Sequence, residues 1–136
     1  MKVNELMIGD WVLFEPIKND STPKRVGGID GSMVSINCLW EAFHHIRPIP
    51  LTEEIIKKNG FVNDFYEDES VADYHVIRHE GYSFNTEIAL ITWCNGNVII
   101  STDFDGKVSK EIQFVHELQH ALRLCGLNEL ADNLKL

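Results

Sequence analysis

The sequence predicts an α+β protein of two lobes, a small β-rich one followed by a mixed one. Three observations carry this. Short apolar runs separated by Gly-rich turns fill residues 1–50. A short helical signal at "LTEEIIKKNGF" leads into runs of β-branched and aromatic residues. A longer amphipathic stretch, ending at Gly126, comes after them. The boundary falls in "RPIPLTEE", between a lobe of residues 1–50 and a lobe of residues 51–136.

In the first lobe, "IGDWVLF" puts a turn at Gly9-Asp10 before the apolar run Trp11 to Phe14. "KNDSTPKR" reads as a polar loop. "RVGGIDGSMVSIN" supplies two strands around Ile29-Asp30-Gly31-Ser32, where glycine suits a positive φ. "FHHIRPIP" reads as a closing strand, cut off by Pro48 and Pro50 because proline donates no ladder hydrogen bond. Short strands with Gly-rich turns in so few residues predict an SH3-like barrel or roll.

The second lobe opens on a helix of about two turns. Thr52 is its N-cap, Glu53 and Glu54 face the positive end of the helix dipole, and Lys57 and Lys58 face the negative end. Asn59-Gly60 stops it in a left-handed cap, and Leu51, Ile55, Ile56 and Phe61 are available for packing. The acidic "VNDFYEDESVADY" reads as a loop or edge segment. From Tyr74, "YHVIRHE" and "YSFNTEIALITWC" read as strands. Asn95-Gly96 is a strong hairpin turn into "NVIIST", and Asp105-Gly106 makes a second turn. "SKEIQFVHELQHALRLCG" reads as a helix capped by Ser109, with Glu111 in its first turn and Gly126 as its stop. Asn128 is the expected cap of a last short turn. The lobe is thus a sheet of about three or four antiparallel strands under one helix. Leu118 and Leu122 are the expected anchors of that helix, against Ile91, Trp93 or Ile99.

A chain of 136 residues fits one domain or two very small ones, and 44% hydrophobic with 10% aromatic residues is a folded composition. No apolar run approaches the ~18 residues of a membrane span. Met1 to Glu5 lacks the apolar core of a signal peptide, so a cytoplasmic location is expected. Cys38, Cys94 and Cys125 are odd in number, dispersed and without C-x-x-C. They predict buried free thiols rather than a disulfide framework or a thiolate zinc site. The net charge is −9, from 21 acidic and 12 scattered basic residues. Such a distribution speaks against nucleic-acid binding, which needs clustered Lys and Arg to neutralise phosphates. It suits solubility or a basic protein partner, in the extreme a DNA-binding host protein for which this chain would be an acidic decoy.

His116-Glu117-Leu118-Gln119-His120 matches the H-E-x-x-H zinc signature. Two histidines one helical turn apart and a glutamate beside the metal-bound water are two of the three requirements of a zinc hydrolase. The third ligand is missing. The extended metzincin spelling would put Gly at 123 and His at 126, where the sequence has Arg123 and Gly126. A glutamate ligand from a later helix has no room, because 16 residues remain after His120 and Glu129 lies just past the Gly126 stop. At about 100° per residue, Val115, Leu118, Leu122 and Cys125 form one apolar stripe. His116 and His120 fall more than about 90° from its centre, beside Arg123, and are expected to face solvent. An amphipathic packing helix is therefore the primary reading, and a zinc site of His116 and His120 with Glu117 as base is the alternative.

Other candidates are weaker. His44 and His45 adjoin on an expected strand and so point to opposite faces. His75 and His79 share a face if their strand is regular, but no acidic partner can be placed beside them; together with His116 and His120 they could build a joint site, against which surface or half-buried imidazoles are the simpler reading. Cys94 has no placed histidine, there is no G-x-S-x-G, and "VGGIDG" lacks the Lys-Ser/Thr and helix of a phosphate loop. Trp11, Trp40 and Trp93 are candidates for a peptide groove of the SH3 kind. Trp11 and Trp93 suit the core better, which leaves Trp40, beside the turn in "NCLWEAF", as the exposed groove residue.

"IRPIPLTEEIIKKNGF" followed by "FVHELQHALRLCG", with "LMIGDWV" at the start, resembles a family of small proteins of uncharacterised activity. That family is common in gut Bacteroidales genomes, often on prophages and mobile elements. The resemblance covers both lobes. Its members read V-H-x-L-Q in the last helix and vary at the positions of Glu117 and His120, which implies that H-E-x-x-H is particular to this chain. The expectation is a non-enzymatic, cytoplasmic interaction or accessory protein, phage-derived as the resemblance implies, with a protein partner and no cofactor, no nucleic acid and no membrane. The alternatives are a zinc-dependent hydrolase and the acidic decoy.

Overall fold

In the first sheet, the entry to the first strand and two of the turns are set by residues in the left-handed region. Gly9 at φ +93° precedes β1 (Trp11–Phe14), and Gly31 at φ +56° sits in the two-residue turn between β2 (Pro23–Asp30) and β3 (Met33–Ile36). The next turn is made by Asn37 and Cys38, with φ of 51° and 66°, and leads into β4 (Leu39–Ala42). Asparagine visits this region readily, cysteine rarely, so a composition-based search for turns passes over the pair. A 3-10 turn, Phe43–His45, then precedes β5 (Ile46–Pro48). His44 and His45 therefore lie on a turn, not on a strand, with their rings 4.1 Å apart. The stretch expected as a polar loop gives Pro23, Lys24 and Arg25 to β2, paired with Leu13, Val12 and Trp11. The computed structural model describes residues 1–15, 21–63, 67, 69–80, 85–93, 98–102 and 111–136, with backbone only at 78–80, 85–87, 93 and 102.

The first sheet is antiparallel, five-stranded and ordered β4-β3-β2-β1-β5. It is not a closed barrel: β4 and β5 are its edges. Its inner face buries Val12, Val26, Val34, Ile36 and Ile46 with Leu6 in a small core of its own. A register shift between Val26 and Gly28 bends β2 there.

The second sheet has the order β6-β7-β8-β9, all antiparallel. Its strands are β6 (Val62–Asn63), β7 (Val71–Glu80), β8 (Asn85–Trp93) and β9 (Val98–Thr102). The expected turns at Asn95-Gly96 and Asp105-Gly106, the Ser109 cap and Cys94 lie outside the described residues. Ahead of this sheet, α1 (Glu53–Lys58) forms as expected: Thr52 Oγ1 accepts from the Ile55 N–H, and Gly60 ends the segment at φ +84°. The long helix, α2 (Val115–Leu124), starts later than expected. Ile112 and Phe114 are spent on β-bridges to Val98 and Pro50, so Glu111 precedes the helix instead of opening it. Gly126 at φ +81° stops it. In α3 (Asn128–Asp132) the cap position is Leu127, not Asn128.

The larger core lies between α2 and one face of this sheet. Leu118 and Leu122 anchor it, but against Ile88, Leu90 and Ile100, with Ile55, Ile56 and Phe61 alongside. Ile91 and Ile99 pair with each other on the opposite face, one residue out of phase. The side chain of Trp93 is not described. Ala89 and Ile99 on that opposite face are buried too. "IALI" and "VII" are thus apolar on both faces, and their hydrophobicity carries no parity signal.

α2 also serves the first sheet. Trp11 and Leu13 of β1 pack against the larger core, and Arg25 donates to the Asp132 carbonyl in α3. Cys38 is exposed and Cys125 half-buried, against the expectation of buried thiols; burial pushes the Cys125 thiol up. Among the described residues no helix is long and apolar enough to cross a membrane.

Candidate functional site

The side chains of the H-E-x-x-H stretch are engaged by the fold. Glu117 Oε2 accepts from the backbone N–H groups of Gln113 at 2.7 Å and Phe114 at 3.1 Å. These are donors that a helix start leaves without intrahelical acceptors. Glu117 is therefore the cap of its own helix, in the electropositive first turn.

Of the two histidines, His116 does not face solvent and His120 is half-buried. His116 is 2% exposed, stacked on Phe114 at 5.9 Å and edge-on to His120 at 5.8 Å. Its Nδ1 is buried without a partner. Burial pushes its pKa below the ordinary 6.5, against the opposing pull of the Asp10 and Glu117 charges. His120 Nε2 lies 2.7 Å from Asp10 Oδ2. Asp10 is fully buried and also accepts from the Met7 N–H at 2.8 Å and from Arg123 Nη1 at 3.0 Å. Arg123 reaches Asp132 with its other nitrogen. Beside them Gln119, 0% exposed, accepts from the Trp11 N–H and donates to the Gly9 and Ala131 carbonyls.

The polar side of α2 is thus a joint to the Gly9–Trp11 turn and to α3. The helical wheel missed this because it assumes one packed face, whereas α2 is packed on two. A lone Asp10 before an apolar run offered no signal for it beyond its turn propensity.

A cavity of about 380 Å³ lies at this helix, lined by Glu5, Glu111, His116, Glu117, His120 and Leu124 among others. His120 oriented by a buried carboxylate resembles a general base and its orienting group. Among the described residues, no serine, threonine or cysteine lines the cavity to be activated by it. Asp10 takes one ring nitrogen of His120, and two backbone amides take Glu117 Oε2. Among the described residues, the group of three donors within mutual reach of an ion lies elsewhere, at Glu53, Asp73 and His75. There His75 is 1% exposed, and neither ring nitrogen has a partner. A buried polar atom left unpaired costs about 1–3 kcal/mol. His79 follows His75 on β7, and its side chain is not described.

The remaining predicted position, Trp40, is 53% exposed on the edge strand β4. Its ring lies over Gly28, where an added Cβ would meet Trp40 Cη2 at 3.1 Å. Leu39 beside it is 64% exposed. Trp11 is half-buried, with the Arg25 guanidinium over its ring at 4.5 Å.

Comparison with protein-family models, with curated proteins and with solved structures gives no match.

Proposed function

We propose that this chain is a non-enzymatic, cytoplasmic interaction protein that takes an extended segment of a basic protein along the edge of its first sheet. The observation that carries this is the exposed apolar surface of β4, an edge strand bearing Leu39 and Trp40. Edge strands present unpaired backbone groups, and native proteins blunt them with charge, bulges or cover. Here the edge instead carries large apolar side chains, as in strand-addition recognition. Met33 on β3 lies on the Trp40 face of the sheet, and exposed Asp30 of β2 is its cross-strand partner. That acid and the net charge of −9 favour a basic segment. Gly28 leaves room for the Trp40 ring on the sheet, which limits the ordering cost of using it as an anchor.

The same sheet supports an SH3-like roll. β1 pairs with both β2 and β5, β2 is bent at Val26/Gly28, and a 3-10 turn enters β5. The phage origin rests on the family resemblance. Engagement of Glu117 and His120 in the fold supports a non-enzymatic reading over the zinc hydrolase.

Cross-linking capture with the wild type and Trp40→Ala tests the proposal. A partner held by the wild type should be lost by Trp40→Ala, whose melting temperature should stay within a few degrees of the parent, as for ordinary surface changes. Capture of the same partner by Trp40→Ala would remove β4 from the account. Peptide or ester hydrolysis abolished by Glu117→Gln, with the fold retained, would restore the enzyme.

A further inference from the structure

We propose that Glu53, Asp73 and His75 form a binding site for a divalent transition-metal ion of the zinc class. The alternation of a strand puts Asp73 and His75 of β7 on one face, two residues apart. His75 pairs with Leu90, so this is the face that carries the larger core. Glu53, the first residue of α1, comes down on the same place, and one donor atom from each of the three lies within 4.8 Å of the other two.

Two carboxylates near a surface carry little on their own. The imidazole is what points to a ligand, because it is 1% exposed and has no partner on Nδ1 or Nε2. A ring placed so deeply against a hydrophobic core, with a nitrogen near two carboxylates that do not bond it, needs something between them. A cation at about 2.0–2.2 Å from each donor satisfies all three at once.

The donor set selects the ion. One imidazole with two carboxylates suits zinc and its first-row neighbours, whereas magnesium and calcium take oxygen alone. Three protein donors leave a fourth tetrahedral position for water. The local field already draws a cation: Lys57 Nζ lies 2.6 Å from Glu53 Oε1. Asp73 Oδ1 also accepts from Asn63 Nδ2 at 3.4 Å, which orients the carboxylate. The bound ion would tie the start of α1 to β7, so binding and folding would be coupled. The site is separate from β4 and does not depend on the interaction reading.

The test uses the untagged full chain, stripped with chelator and titrated with zinc by calorimetry, with magnesium as the comparison ion. One equivalent of zinc should bind and raise the melting temperature, and millimolar magnesium should not displace it. Glu53→Gln and Asp73→Asn should each weaken binding by about 10-fold or more, since loss of even an outer-shell partner typically costs that much. His75→Leu, which fills the same buried space, should abolish binding. If that variant does not fold, the two carboxylate variants decide, since Glu53 is exposed and Asp73 half-buried. His120→Ala should bind as the wild type does. Stoichiometry far below one, or binding unmoved by both carboxylate variants, would overturn the site. Loss in His120→Ala alone would transfer the ion to α2.

Discussion

Truncating Leu118 to alanine isolates the docking of α2, because the same helix carries its own control. Leu118 is 0% exposed and Leu124 is 89% exposed. Leu→Ala removes three carbons, worth about 0.8 kcal/mol each when buried, or about 2.4 kcal/mol of transfer energy. Leu118 is enclosed by Leu122, Ile88, Leu90 and Ile100, which are themselves buried. They cannot collapse fully into the gap, so a cavity term brings the loss to about 3–4 kcal/mol. That is a large share of the roughly 5–15 kcal/mol expected for a protein of this kind. Leu124→Ala should cost under about 0.5 kcal/mol. Urea unfolding of both variants, followed by far-UV circular dichroism at constant m, measures the difference. Equal losses, or a larger loss at Leu124, would mean that the stripe through Leu118 does not dock the helix.

Two further outcomes follow from the joint between α2 and the first sheet. Asp10→Ala should cost about 3–5 kcal/mol, because it strands the Arg123 and His120 donors, and Arg123→Met should recover part of that loss in a double-mutant cycle. Fully additive losses would show that the two side chains are not coupled. The second outcome concerns pH. The folded-state pKa of His116 lies below its ordinary 6.5, so below pH 6.5 the unfolded chain takes up this proton before the folded one does. Its contribution is intact above about pH 6.5 and is lost as pH falls toward the depressed value. The stability gap between wild type and His116→Phe should therefore move in favour of the variant between pH 7 and pH 5 in thermal melts, and a pH-independent gap would contradict the burial.

What was legible in the sequence was local. Thr52, Asn59-Gly60 and Gly126 mark α1 and the end of α2 because caps and left-handed stops are decided by a few adjacent residues. The α+β class and the antiparallel sheets were legible for the same reason. The phase of β8 was not, because its residues are apolar on both faces, and Ile88 and Leu90 rather than Ile91 turn out to meet α2. The start of α2 was also obscured, because Ile112 and Phe114 find distant β-bridges that helix propensity does not register. A one-face wheel placed His116 and His120 in solvent and implied that replacing them is harmless; Asp10, 110 residues from His120, reverses that. Asp73-x-His75 carries a readable signal, two donors on one strand face, but its third member comes from Glu53, which helix-dipole reasoning already explained.

The H-E-x-x-H side chains cap α2 and join it to the first sheet, and we propose that they serve the fold rather than a metal. His120→Ala tests it most directly when stability and zinc content are measured on the same preparation. The expected loss is about 1–3 kcal/mol in urea unfolding, the cost of leaving buried Asp10 short of a donor, with zinc per chain unchanged from the wild type. Unchanged stability together with loss of zinc would contradict it.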